Sequence, residues 1–220
     1  MEEAEKMKSR ILSEIEWIEH GFGVGAGDVH DLAAPSSKVF DTEQVHGNAV
    51  HVLEDESDGR VLNGDAFLTS KPGFVCHVRT ADCVPILIAD TKNKAVGAVH
   101  AGWKGTAQDV AGHAIKKMHN RFGTDPSDCI AAIGPCICGS CYEVGEEVRR
   151  EIERLDLKCA WKVGARHIDL GMANRELLER AGLFPHHIDT LSRCTSCEPR
   201  FVSWRQDRTE GRQISYILIN

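Results

Sequence analysis

The sequence lacks the marks of several protein classes. Its 220 residues carry a formal net charge of -7, which argues against a broad electrostatic grip on nucleic acid, because that needs clustered lysine and arginine. No apolar run approaches the roughly 20 residues needed to span a bilayer. The opening MEEAEKMKSR is charged throughout and has no apolar signal-peptide region. There is no internal repeat, low-complexity tract or linker. What is present is an ordinary globular composition, 42% hydrophobic and 27% charged, on a chain long enough to bury one substantial core. These features predict a cytoplasmic protein with no nucleic-acid or membrane partner; they set no oligomeric state.

Nine cysteines stand out. In a reducing compartment, clustered cysteines more often mean metal or catalysis than structural disulfides. Cys76, Cys129 and Cys159 lie in apolar contexts and read as small buried hydrophobes. CGSC (Cys138, Cys141) and CTSC (Cys194, Cys197) are two C-x₂-C pairs, the knuckle unit of structural zinc sites, with Cys136 spare. The 52 residues between Cys141 and Cys194 exceed the gap of a zinc ribbon. A second, structural metal, a disulfide and free thiols all stay open for these four cysteines.

Apolar periodicity predicts a helix over 4–19, and the glycines of HGFGVGAGD end it. Strands are expected near 48–54, 65–69 and 74–79, then at VPILIAD and KAVGAVH joined by a tight turn at TKN. Helical patterns follow at 107–122, 144–155 and 169–182, the last closing on Gly182, with a short strand at CIAAIGP. FVSWRQ and RQISYILI read as two final strands around DRTEG. The expected fold is α+β: an N-terminal helix over 1–19, then one domain over 20–220 with a mixed sheet core and helices packed outside.

Three apolar segments each end in a soft or borderline metal ligand: His46 in EQVHGNAV, Cys83 in TADC and His100 in AVHAGW. An N, S, N set suits zinc, and three protein ligands leave the fourth tetrahedral position open, as in catalytic sites. Buried structural side chains are the competing reading of the same residues.

QVHGNAV, RTADCVPILIAD, AVHAGWKGT, AAIGPCICGSCYEVGEEV, DLGMANRELL and FVSWRQDRTEGRQISYI occur in the order and roughly the spacing of the YfiH family, also called the polyphenol oxidoreductase or laccase-domain family, which the chain resembles from residue 20 to its end. The resemblance implies zinc on His46, Cys83 and His100. It also implies a purine nucleoside enzyme that phosphorolyses adenosine, inosine, guanosine or methylthioadenosine and deaminates adenosine to inosine, with nucleoside and phosphate as its small-molecule partners. Zinc can acidify water for attack on C6 of adenine; phosphorolysis needs a cationic cradle for phosphate. By motif position, Cys83, Asp82 and Arg79 are the expected catalytic residues, and Gln44, Lys104, Tyr142 and Arg205 the expected substrate-binding ones. The plain alternatives are a turn-orienting role for Asp82 and solvated surface charge for Lys104 and Arg205.

Some family members have been described as laccases. A multicopper oxidase needs a blue-copper type centre and a cluster of many more histidines, and the eleven histidines here show no paired H-x-H pattern. Multicopper oxidation is therefore rejected as the native activity, with copper binding left as an in vitro possibility. Against the family pattern, GVGAGDVHD is short and has no arginine, Lys104 stands where arginine is usual, and FVSWRQD carries one arginine where relatives often have two. All three reduce the expected cationic capacity. They keep in view an amidase acting on a peptidoglycan precursor, or a metal-binding regulatory domain without turnover.

Overall fold

VPILIAD is apolar at almost every position because it is buried on both faces. A computed structural model of the chain describes residues 5–31, 36–54, 61–158, 161–162 and 166–220; Cys159 lies outside these. Val84–Asp90 sits inside a six-stranded sheet ordered Ile188–Thr190, Cys129–Ile133, Val84–Asp90, Ala95–Ala101, Ala66–Thr69, Val50–Val52. Its centre is antiparallel, and the outermost pair on each side is parallel. Successive side chains of a strand point to opposite faces. Leu87 and Ala89 therefore join a core with Phe22, Phe67, Cys76, Val78 and Ile217 between this sheet and a second one. Ile86 and Ile88 face the other way, into a core covered by helices. The second sheet has five strands, ordered Lys6–Met7, Ile18–Gly23, Gln213–Ile219, Phe74–Thr80, Lys38–Val39.

The helices are α1 (Trp103–Ala107), α2 (Val110–Phe122), α3 (Glu146–Glu153), α4 (Leu170–Arg180) and α5 (Trp204–Asp207). Val110, Ala114, Ile115 and Met118 of α2 and Ala173, Leu177 and Leu178 of α4 supply the apolar faces that cover the six-stranded sheet. Asp169 caps α4 by accepting from the Met172 N–H at 2.9 Å, and the chain leaves that helix through Gly182 at φ +107°. The layers run sheet, sheet, helices, the α+β arrangement expected. No helix among the described residues is long and apolar enough to cross a membrane.

Two sequence expectations are corrected. Residues 5–19 do not form a helix, and residues 1–4 of that expectation lie outside the described residues. The described part contains a two-residue strand at Lys6–Met7, a single 3₁₀ turn at Leu12–Glu14 and the start of the strand Ile18–Gly23. That strand pairs antiparallel with the chain's end, Ile18 opposite Ile219 and Phe22 opposite Ser215. Long-range pairing satisfies the backbone there and overrides a local apolar period of helical spacing. It also needs Gly23, where a Cβ would come within 2.8 Å of the Ile214 carbonyl oxygen. FVSWRQ is likewise not a strand. Ser203 accepts from the Gln206 N–H at 3.2 Å and starts the one-turn helix α5, which ends on Arg208 at φ +54°.

His20 is buried at 2% exposure, and its Nε2 accepts from the Ser9 N–H at 3.0 Å. Burial, with the Lys8 charge, pulls its pKa down to about 4; burial likewise pulls His77 to about 4. Both folded values lie below the ordinary 6.5, so the unfolded chain takes up these protons first. The stability they contribute is complete above about pH 6.5 and is lost progressively toward pH 4, by about 3 kcal/mol at most for each. Thermal melts across that range are expected to fall steeply for the wild type and less steeply for His20→Gln. Parallel slopes would contradict this.

Candidate metal centre and its cavity

The hairpin Val84–Ala101 brings two ligands together at its open end. His100 pairs with Pro85 and Ala101 with Val84, so Cys83, one residue before the strand, sits beside His100. The third ligand comes from the loop ahead of Val50–Val52. His46 takes the left-handed conformation, φ +58°, and its ring meets that of His100 edge-on with centroids 4.8 Å apart. The ligand atoms of His46, Cys83 and His100 all lie within 4.8 Å of one another.

Asp65, fully buried, holds this arrangement. It precedes Ala66–Thr69, the neighbour strand of Ala95–Ala101, and its carbonyl accepts from the His100 N–H at 2.7 Å. Its carboxylate accepts from His100 Nδ1 at 2.7 Å and from the backbone N–H groups of Val45, His46 and Gly47 at 3.3, 3.0 and 2.7 Å. One carboxylate thus turns His100 so that Nε2 points away from Asp65, and folds the loop that presents His46. This is the outer-shell carboxylate that metal-bound histidines characteristically have. Asp65 was not among the expected site residues; its one signal in the sequence is an acid directly ahead of the apolar AFLT.

Burial pushes the Cys83 thiol up, but the His100 and His46 imidazoles outweigh it and bring its pKa to about 6. Burial pulls His100 down, and Cys83 and Asp65 together raise it to about 9. Both shifts favour thiolate beside imidazolium when no metal is bound, and a cation held by the trio would displace the imidazolium proton. The donor set fits zinc in ligand type, spacing and outer-shell support. Gly102 adds to that fit. A Cβ there would come within 3.0 Å of Cys83 Sγ and 3.3 Å of His46 Cδ2. Gly102→Ala is expected to weaken metal binding at the trio by about tenfold, the scale of outer-shell changes. Cobalt titration, whose spectrum reports the Cys83 thiolate, measures it; unchanged affinity would mean the trio has slack.

The trio lies where two lobes of a cavity meet, both lined by His46, Ala81, Cys83 and Trp204. One lobe, about 480 Å³, adds Arg79 and Arg212 with Glu43 and Glu210. The other, about 410 Å³, is aromatic: Trp103, Tyr142 and Trp204, with Asp82, Arg205 and Arg208. The Arg205 guanidinium lies 5.2 Å from the Tyr142 ring centroid, and Arg208 and Arg212 lie 5.6 and 5.9 Å from that of Trp204. Arg208 and Arg212 restore cationic capacity that the family comparison of motifs counted as lost.

The other expected site residues fall differently. Asp82, at φ +81°, spends both carboxylate oxygens on structure, accepting from Thr195 Oγ1 at 2.7 Å and from the Arg205 N–H at 2.6 Å. It positions the Thr195 and Arg205 segments. Gln44 is also a clasp: its amide donates to the Arg79 carbonyl at 2.8 Å and accepts from the Arg79 N–H at 2.7 Å. Arg79 itself reaches the Thr42 carbonyl at 3.0 Å and borders the lobe it shares with Arg212. Lys104 is exposed over the Trp103 ring and lines neither lobe. Glu43, Trp103, Trp204, Arg208, Glu210 and Arg212 were not foreseen as site residues. They come from loops, the two-residue strand Thr42–Glu43 and the short helices α1 and α5, which are too short to carry a periodic signal.

Comparison with known proteins gives the family. Residues 29–220 match the family described as multi-copper polyphenol oxidoreductase laccase. A protein of Deinococcus radiodurans named purine nucleoside phosphorylase is 41% identical over 167 residues, which cover 74% of this chain and 63% of that protein, so the match spans somewhat under two thirds of its length. Purine nucleoside phosphorylase YlmD of Geobacillus stearothermophilus is 35% identical over 202 residues, 84% of this chain and 74% of its own. The crystal structure of Bacillus licheniformis hypothetical protein YfiH superposes with a TM-score of 0.85 at 28% identity, covering 93% of this chain and 94% of that one. With a family match across most of its length and relatives above 30% identity, this chain belongs to the YfiH family, the polyphenol oxidoreductase laccase-domain family.

Proposed function

We propose that this chain is a zinc-dependent purine nucleoside phosphorylase that also deaminates adenosine. One observation carries the reading: the open trio stands at the junction of two lobes, one walled by the Trp103 and Tyr142 rings and the other by Arg79 and Arg212 with Glu43 and Glu210, with Trp204 shared between them. A purine nucleoside with phosphate has the matching halves. Trp204 and Tyr142 offer faces for the flat base, Arg79 and Arg212 offer charge-assisted hydrogen bonds to phosphate, and Glu43 and Glu210 can accept from sugar hydroxyls. That relatives carry the name purine nucleoside phosphorylase supports the same choice.

In phosphorolysis a phosphate oxygen bonds to C1′ of the ribose while the bond from C1′ to the base nitrogen breaks. The electron pair leaves with the purine, which takes up a proton. The chain's part is to hold both reactants in line, with phosphate beside Arg79 and Arg212 and the base beside Trp204 and Tyr142. Bound zinc would supply a Lewis acid at the junction, able to polarise the purine and acidify water for deamination. Among the described residues two groups of potential metal ligands occur, this trio and four cysteines, and neither contains more than two histidines. That supports zinc chemistry over a multicopper centre, and copper entering the same N, S, N set in vitro would be adventitious.

Chromatography of products from adenosine, with and without phosphate, tests the proposal. Adenine and ribose 1-phosphate are expected only with phosphate, and inosine in either buffer. Absence of all purine products from zinc-loaded protein would overturn it. Arg212→Ala is expected to raise KM for phosphate roughly tenfold to a hundredfold, the cost of one or two charged hydrogen bonds. An unchanged phosphate KM would move the anion elsewhere.

A further inference from the structure

The two C-x₂-C pairs, 52 residues apart in sequence, meet in space. The sulfurs of Cys138, Cys141, Cys194 and Cys197 lie within 4.8 Å of one another, and Cys141 Sγ is 3.3 Å from Cys197 Sγ. Four thiolates around a tetrahedral zinc, at Zn–S of about 2.3 Å, stand about 3.8 Å apart. Each pair is wound in the same tight turn. The Cys141 and Tyr142 N–H groups donate to the Cys138 carbonyl at 3.0 and 3.1 Å, and the Cys197 and Glu198 N–H groups donate to the Cys194 carbonyl at 3.3 and 3.2 Å. A bridge between Cys136 and Cys194 joins the two turns side by side. The Cys138 N–H donates to Cys194 Sγ at 3.3 Å, the kind of contact that stabilises a metal-bound thiolate. Cys136 stays out of the cluster.

We propose that Cys138, Cys141, Cys194 and Cys197 bind a second zinc ion in a closed, structural Cys₄ site that fixes the wall of the aromatic lobe. Four protein sulfurs fill a tetrahedron and leave no position for substrate, unlike the His46, Cys83, His100 trio. The ion's effect reaches the cavity through short links. Tyr142 follows Cys141 directly; the Arg205 guanidinium donates to the Cys141 and Glu143 carbonyls at 3.3 and 3.0 Å; and Thr195, between the paired cysteines, holds Asp82. Binding converts thiols to thiolates, with the displaced protons passing to solvent, and no oxidant is required. Formation of disulfides from the same sulfurs would need one.

The test removes the open site and counts what remains. Wild type and a His46→Ala/Cys83→Ala variant are purified with a mild thiol reductant and no chelator, and zinc per chain is measured by elemental analysis and native mass spectrometry. Two zinc ions are expected in the wild type and one in the variant, whose cobalt form should show the strong charge-transfer absorption of several thiolates. Adding Cys197→Ser is expected to lower the count from one to none. If that triple variant fails to fold, the open-site variant decides alone. A metal-free open-site variant, with these cysteines freely alkylated or disulfide-bonded, would overturn the proposal.

Discussion

Cys83→Ala is expected to fold normally, to hold no metal at the trio, and to lose at least about a thousandfold in kcat/KM for nucleoside phosphorolysis. Cys83 precedes the strand Val84–Asp90 and is partly exposed to the cavity, so its loss opens no core void. It is the trio's one sulfur and one anion, held as thiolate by two imidazoles. Two neutral histidines alone are a weak zinc site. Loss of a Lewis acid removes several kcal/mol of transition-state stabilisation, and about 4 kcal/mol corresponds to about a thousandfold in rate. Steady-state kinetics beside a thermal melt checks this. Full turnover by a folded Cys83→Ala protein would sink the catalytic role of the trio.

Asp65→Ala is expected to damage both stability and metal affinity. The carboxylate accepts from His100 Nδ1 and from three successive backbone N–H groups, all around a fully buried side chain. Alanine leaves those donors without their acceptor, at about 1–3 kcal/mol for each group that water cannot reach, so a loss of roughly 3–5 kcal/mol is expected. Asp65→Asn keeps one acceptor oxygen but turns an amide N–H toward a donor. It should fold better than the alanine variant and bind zinc about 10–100-fold more weakly than wild type. Denaturant unfolding and cobalt titration measure the two effects separately. Wild-type affinity in a folded Asp65→Asn protein would show that His100 needs no orienting partner.

What could be read in the sequence, and what could not, divides along physical lines. The strands Val84–Asp90 and Ala95–Ala101 were legible because burial on both faces leaves an uninterrupted apolar run. Helices α2 and α4 were legible from their apolar period, and α4 also from its Gly182 stop. His46, Cys83 and His100 were legible as ligand types at apolar-segment ends, and the family motifs singled out the same three. The N-terminal helix failed because the pairing of Ile18–Gly23 with Gln213–Ile219 joins residues nearly 200 positions apart, which no local window sees. Trp204 and Arg212 were invisible, and Asp65 nearly so, for a similar reason: each acts through neighbours that only the fold supplies. Gln44, expected to bind substrate, and Asp82, expected to be catalytic, line the cavity and are engaged as clasps on backbone and side chain. The two C-x₂-C pairs were visible as pairs, while their meeting depended on the strands that carry Cys136 and Cys194 together.

The most direct measurement is an anomalous difference map at the zinc edge, from crystals grown with phosphate and hypoxanthine. The expected result is a zinc peak within about 2.0–2.3 Å of the His46 and His100 nitrogens and Cys83 Sγ, with the base against Trp204 and phosphate beside Arg79 and Arg212. A trio without zinc, or base and phosphate bound away from it, would contradict the reading of this cavity as the nucleoside site.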